Sequence, residues 1–408
     1  MKKIFFLLFF LIPIISYSQE NNDISIGKTY KTYSKILGEE RSYFIYLPKS
    51  ASDRIYSKQK YPVIYVLDGE EHFQGLAAMM ENMGSLRIFQ ESIIVAIPNV
   101  DRIRDFTPTH ITSGIFLDSV SAKSSGGGEK FTLFLQNELI PEIESKYPTA
   151  PYRMLIGHSL GGLFVINTLL KHTELFNSYI SIDPALWYDN SKLSKEAENI
   201  LSDNKFKNKT LFISVANGFK KKLDTAEVRK TITPFNDAVL AMDRLKSALQ
   251  RNSNKNLLWK IKYYELEGHN TAPFISEYDG LHYIFRDYNF LSVDNYDLFS
   301  TSVNDKTILD SLKSGYKQIS NSMGYEILPS EQIINNLGYA FLRSNKFESA
   351  YHFFEMNEIN YPHSFNVYDA LGDYHSAKGR KEEAKKNYIK ALSILDYPPT
   401  VDKLKALK

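Results

Sequence analysis

A chain of 408 residues with a formal charge of +2 is long enough for two folded units and is close to electrical neutrality. No long basic tract runs through it, which argues against nucleic-acid binding driven by bulk charge. The complete lack of cysteine excludes disulfides, thiolate metal sites and a lipid-modified cysteine behind a leader.

In chain order, Met1-Lys2-Lys3, an apolar run over 4–15 and the small residues around Ser18 read as a secretory signal occupying 1–18. The apolar run is too short to span a bilayer comfortably, so no stable membrane insertion is expected once the signal is cut. Export without disulfides points to a periplasmic or secreted protein. Over 25–290, compact apolar runs at 43–47, 63–67, 93–97, 154–156, 179–182 and 211–215 alternate with helical stretches at 130–147, 162–171 and 237–250. Short β-branched runs between helices describe a mostly parallel sheet covered by helices on both faces, an α/β fold. In such sheets the chemistry gathers at the carboxyl ends of the strands.

Residues 291–328 read as a linker rich in Asn, Asp and Ser followed by a packing helix over 307–323. Over 329–408 the chain repeats: Leu337-Gly338 recurs as Leu371-Gly372 and Ala350 as Ala384, each 34 residues on, and Pro362 closes the first copy. A 34-residue period of this kind is the tetratricopeptide-like signature of paired helices, which gives a small all-α domain able to take a protein partner.

The motif that decides the chemistry is Gly157-His158-Ser159-Leu160-Gly161, set between a strand-like run and an apolar helix. G-x-S-x-G in that context is a nucleophile elbow, a strained turn that exposes a serine hydroxyl at the top of a sheet. Serine needs a base, and His269, in the turn Glu267-Gly268-His269-Asn270 after a strand-like run, stands where the chain order nucleophile–acid–histidine expects one. The acid should hold the imidazole tautomer. The usual loop follows 211–215 and offers Asp224, with Glu227 nearby; Asp183, after the preceding strand, is the alternative, and a serine–histidine pair with no carboxylate stays open. The oxyanion would be met by the backbone N–H of Leu160 and by one from Asp68-Gly69-Glu70, that is Gly69 or Glu70.

Arg102 and Arg104, in the segment Asn99–Pro108, face the same rim; they either receive an anionic substrate or pair with Asp101 and Asp105 to shape the loop. Gly126-Gly127-Gly128 lacks the ending of a phosphate loop and reads as a flexible entry to the helix at 130, with Glu129 favourable at its amino end. No metal-ligand spacing appears, and serine–histidine chemistry needs neither a metal nor another cofactor.

Several stretches together resemble the esterase family that includes enterobactin and bacillibactin esterases and S-formylglutathione hydrolase. They are Tyr61-Pro62-Val63-Ile64-Tyr65-Val66-Leu67-Asp68-Gly69, the Asn99–Pro108 segment, Gly127-Gly128-Glu129-Lys130-Phe131, 151–162 and Ile275-Ser276-Glu277-Tyr278-Asp279-Gly280-Leu281. The resemblance spans about 30–288 and implies an α/β-hydrolase fold, carboxylic ester hydrolysis, and Ser159 and His269 as catalytic. Relatives often carry Ser-Pro-Ser where this chain has Asp183-Pro184-Ala185, and Gly-Ser where it has Asn270-Thr271. The tail looks like the helical repeat extension behind several exported bacterial serine hydrolases. The expected activity is an exported serine esterase acting through an acyl-enzyme on a small-molecule ester, with a catecholate siderophore ester as first candidate. An acyltransferase of the same fold and an inert scaffold that binds partners through its repeats are the alternatives.

Overall fold

The computed structural model describes residues 24–407 except 203, 218–227, 229, 231–232, 253–256 and 292–299. Its centre is one eight-stranded sheet: β1 (Lys28–Ser34), β2 (Glu39–Tyr46), β3 (Tyr61–Leu67), β4 (Ile93–Ile97), β5 (Thr149–His158), β6 (Ser178–Ile182), β7 (Lys209–Ala216) and β8 (Leu257–Tyr264). In space they run β1-β2-β4-β3-β5-β6-β7-β8. β2 is antiparallel to both its neighbours, and every pairing from β4 across to β8 is parallel. β3, β4 and β6 are buried at every residue, which is why β3 and β4 are continuous apolar runs with no alternation; β6 also buries Ser178 and Ser181. β1 was not anticipated from apolar runs. Its sequence KTYKTYS is largely polar and half-exposed, as suits an edge strand.

One face of the sheet carries α2 (Arg102–Phe106), α3 (Gly128–Phe134), α4 (Ile140–Lys146), α5 (Leu160–Lys171), α6 (Tyr188–Leu201) and α7 (Pro234–Arg251). A π-helical turn, Leu135–Leu139, joins α3 to α4, so the helical stretch expected over 130–147 is a single run with one loosened turn. α5 is buried on all sides from Leu160 to Leu170, which explains an apolar sequence with no polar stripe. The other face carries α1 (Gly69–Ser85) and α8 (Ala272–Ile284).

Six more helices follow among the described residues: α9 (Asp305–Met323), α10 (Glu331–Arg343), α11 (Phe347–Asn360), α12 (Phe365–Ala377), α13 (Lys381–Ile394) and α14 (Pro398–Ala406). The pair α10–α11 recurs as α12–α13 with the 34-residue spacing of the sequence repeat. Each pair closes in the same way, with the ring of Phe354 or Tyr388 lying where a Cβ on Gly338 or Gly372 would otherwise be, at 2.5 and 2.3 Å.

These helices have no separate core. Ile308, Leu312, Tyr316 and Ile319 of α9 belong to the same buried cluster as Tyr46, Met80, Phe89 and Tyr152 of the sheet unit. Polar contacts reinforce the junction: the Ser57 N–H donates to the buried Glu331 carboxylate at 2.7 Å, Gln59 to Ser330 at 3.0 Å and Gln90 to Tyr325 at 3.0 Å. Ser57, Gln59 and Gln90 all precede strands, so the helical layer grips the sheet at the amino-terminal ends of β3 and β4.

Candidate active site

The opposite, carboxyl-terminal edge of the sheet holds the sequence motifs. β5 runs straight into Ser159, whose backbone sits at φ 59°, ψ −114°, a conformation that L-residues avoid at about 1–3 kcal/mol each. Hydrogen bonds hold it there: the Ser159 N–H donates to the Ile182 carbonyl at 2.9 Å, and its carbonyl accepts from Ala185 and Leu163, both at 2.9 Å. The elbow demands close passage of strand and helix, since a Cβ on Gly157 would meet the Gly161 carbonyl oxygen at 2.5 Å. The turn therefore leaves the serine half-buried while its neighbours His158 and Leu160 are buried.

Next to it, β6 ends in Asp183, again left-handed at φ 39°. Its two carboxylate oxygens have separate tasks. Oδ1 accepts from the Ala216 N–H at 3.0 Å, and Oδ2 accepts from His269 Nδ1–H at 2.6 Å. The turn that carries His269 is pinned in place by the end of β7: the Asn217 N–H donates to the Glu267 carbonyl at 2.7 Å and its side chain to Glu265 at 2.9 Å. The His269 ring packs on the His158 ring with centroids 4.4 Å apart. Ser159, Asp183 and His269 thus lie on three neighbouring loops. Asp224 and Glu227, the carboxylates of the usual loop, lie outside the described residues; the Nδ1 partner seen here is Asp183, the alternative weighed from the sequence.

A fourth loop follows β3. Asp68, left-handed at φ 53° and buried, begins α1, so the first amides of that helix, Gly69 and Glu70, have no acceptor within it. The same holds for Leu160 at the start of α5. The two helix starts adjoin, because a Cβ on Gly161 would lie 3.3 Å from the Asp68 carboxylate. Backbone donors and positive helix ends therefore converge beside the serine. The Glu70 side chain turns the other way and accepts from the Asn99 N–H at 3.2 Å.

Arg102 and Arg104 both engage protein carboxylates. Arg102 grips Asp68 with Nε at 2.6 Å and Nη2 at 3.0 Å, and Nη2 also donates to the His158 carbonyl at 3.0 Å. One guanidinium thus ties the turn after β3 to the elbow after β5. Arg104 pairs with Asp105 at 2.7 Å and with Glu39, and these carboxylates push its pKa above the ordinary value. Asp101 caps α2 by accepting from the Arg104 N–H at 3.0 Å. Gly126-Gly127-Gly128 departs from the flexible entry expected of it. Gly127 and Gly128 donate to the carbonyls of Arg104 and Thr107 at 2.9 and 3.0 Å, and a Cβ on Gly127 would strike the Arg104 side chain at 2.6 Å. These glycines are small because the arginine segment lies directly against them.

Sequence reasoning missed three groups beside the site. His158, the middle residue of the elbow, is 7% exposed, and burial first, then the neighbouring His269 and His72, push its pKa down to about 4. His72 of α1 and Glu277 of α8 form a buried pair with Nδ1 and Oε1 2.5 Å apart. They are 205 residues apart in the chain, so no local pattern could have announced them.

Residues 34–282 match the family model described as putative esterase. Ferri-bacillibactin esterase BesA of Bacillus subtilis is 30% identical over 212 residues, 48% of this chain and 72% of that protein. Apo-salmochelin esterase of Escherichia coli is 32% identical over 146 residues, 31% of this chain and 42% of that protein. Among solved structures, an IroE-like serine hydrolase from Shewanella oneidensis superposes with TM-score 0.67 at 27% identity, covering 81% of this chain and 99% of that one.

Proposed function

Because the chain belongs to the putative esterase family and is a carboxylic-ester hydrolase, we propose that it cleaves catecholate siderophore esters, working through an acyl-enzyme on Ser159. His269 takes the serine proton as Oγ attacks the ester carbonyl, and Asp183, fixed by its bond to Ala216, holds the Nδ1–H and stabilises the imidazolium that forms. The amides of Leu160 and of Gly69 or Glu70 receive the oxyanion. His269 then returns its proton to the leaving alcohol, and a water activated by the same ring releases the acid.

One observation carries this reading: the 2.6 Å bond from His269 to Asp183 on the loop beside a serine held in a left-handed turn. It also gives a sense to the sequence at 183–185, since an aspartate where relatives have serine supplies a carboxylate acid from the end of β6. Arg102 and Arg104 serve substrate through the loops they brace, Arg102 by holding the oxyanion turn against the elbow. The siderophore assignment rests on the likeness to the ferri-bacillibactin and apo-salmochelin esterases. Export is supported by the leader-like residues 1–18; no helix among the described residues is long and apolar enough to cross a membrane.

The test is labelling by a fluorophosphonate probe, followed by turnover of short acyl, aryl and catecholate siderophore esters with and without an added alcohol acceptor. Labelling that disappears in Ser159→Ala, with siderophore esters cleaved fastest to the free acid, is the expected result. Unlabelled wild-type protein would sink the hydrolytic mechanism, and transfer of the acyl group to the alcohol in place of water would make the protein a transferase.

A further inference from the structure

Behind the base lies a line of side chains that the proposed reaction does not use. His158 lies against the ring of His269 at 4.4 Å, His72 meets His158 edge to face at 6.3 Å, and Glu277 holds His72. His72 and Glu277 are 6% and 2% exposed. Burial works to lower the His72 pKa, but the hydrogen bond and charge of Glu277, with Asp68 and Glu71 behind it, raise it on balance. Burial raises that of Glu277 against the pull of His72. Both shifts favour a proton held between the two side chains.

Two arrangements of that proton are possible, an imidazolium beside a carboxylate or a neutral imidazole beside a carboxylic acid. In each of them Nδ1 is engaged by Glu277, so the His72 ring has one orientation. The pair also joins α1, which starts at the oxyanion turn, to α8, which starts directly after the His269 turn. His158 in turn is uncharged over the working pH range, being pushed to about 4. An uncharged aromatic ring can pack, here tilted by 43°, against an imidazole that becomes imidazolium during the reaction; a charged one would repel it.

Resting on the proposed roles of Ser159 and His269, we propose that His158 is a positioning residue whose ring seats the face of His269, and that the buried Glu277–His72 pair anchors that seat. Asp183 fixes one edge of the catalytic imidazole and His158 its face, so the ring keeps two constraints although its side chain is 44% exposed. Removing the seat leaves the hydrogen bond to Asp183 as a hinge about which His269 swings, and displacement of a catalytic group by about 1 Å lowers turnover by as much as 10²-fold.

The experiment measures kcat and KM on a short aryl ester, and the rate of fluorophosphonate labelling, for the full chain and four variants. His158→Ala should lower kcat and the labelling rate about 30-fold while KM stays within about twofold. His158→Phe, which keeps a flat uncharged ring, should recover to within about threefold of wild type. Glu277→Gln and His72→Gln should each lower kcat about tenfold with KM little changed. Wild-type kcat in His158→Ala, a loss confined to KM, or a His158→Phe variant as slow as the alanine would overturn the seat. Unimpaired kcat in Glu277→Gln and His72→Gln would overturn the anchor. A wild-type chain that takes no label at Ser159 would instead bring down the hydrolytic reading on which the seat depends.

Discussion

Left-handed backbone appears in both halves of this molecule, and the residues that carry it differ. In the helical layer it falls at Gly324, Asn345 and Gly379, just past the ends of α9, α10 and α12, where Gly and Asn terminate helices at little strain. At the carboxyl edge of the sheet it falls at Asp68, Ser159 and Asp183, directly after β3, β5 and β6. No glycine relieves those three turns. Each is instead held by tertiary bonds: Arg102 on Asp68, the Ile182 and Ala185 backbone on Ser159, and Ser214 and Ala216 on Asp183. A positive φ is a cheap stop signal in one place and a strained backbone held by tertiary bonds in the other.

Substitutions can break or sharpen that contrast. The largest effect is expected from Ser159→Ala, which should lower ester turnover by at least about 10³-fold and remove fluorophosphonate labelling while leaving the thermal transition near that of wild type. Asp183→Asn comes next, with kcat falling about 10²- to 10⁴-fold because an amide no longer enforces the His269 tautomer; steady-state kinetics on an aryl ester checks it. Arg102→Gln should lower kcat about 10- to 10²-fold by freeing the turn after β3, the proposed oxyanion turn, from the elbow, and a loss seen only in KM for anionic esters would mean that Arg102 meets substrate directly.

A fourth expectation concerns pH. The folded-state pKa of His158, about 4, lies below the ordinary value of 6.5, so the unfolded chain takes up the proton first. Its contribution to stability is complete above about pH 6.5 and is lost as pH falls towards 4, by up to about 3 kcal/mol. Denaturant unfolding at a series of pH values should show a shallower decline over that window in His158→Phe than in wild type. The smallest effect belongs to the helical layer: Gly379→Ala, at φ 70° with open space around it, should reduce stability by about 1 kcal/mol and leave turnover unchanged.

How much of this the sequence disclosed depended on how local each signal was. The elbow and the 34-residue repeat are local patterns, as are the buried strands at 63–67, 93–97 and 179–182, and the structure puts those strands and helices where they were expected. The identity of the Nδ1 partner of His269 was not local. The usual loop after β7 contains Asp224, and nothing in residues 183–185 states that a left-handed turn after β6 aims its carboxylate at a histidine 86 residues away. The two arginines posed the same difficulty, since one reading sent them to substrate and the other to neighbouring carboxylates. Asp105 was a nearby candidate for Arg104, but the partner of Arg102, Asp68, is 34 residues back on another loop. α6 opens with three successive left-handed residues, Asp189, Asn190 and Ser191, and an onset of that kind leaves no helical periodicity to detect.

The helical layer is welded to the sheet at the end away from Ser159, through Tyr325, Ser330 and Glu331. A catalyst gripped from behind in this fashion keeps its entrance clear. A protein bound on those helices would hold the molecule from the edge opposite Ser159 and not stand between a diffusing ester and the bond to be cut.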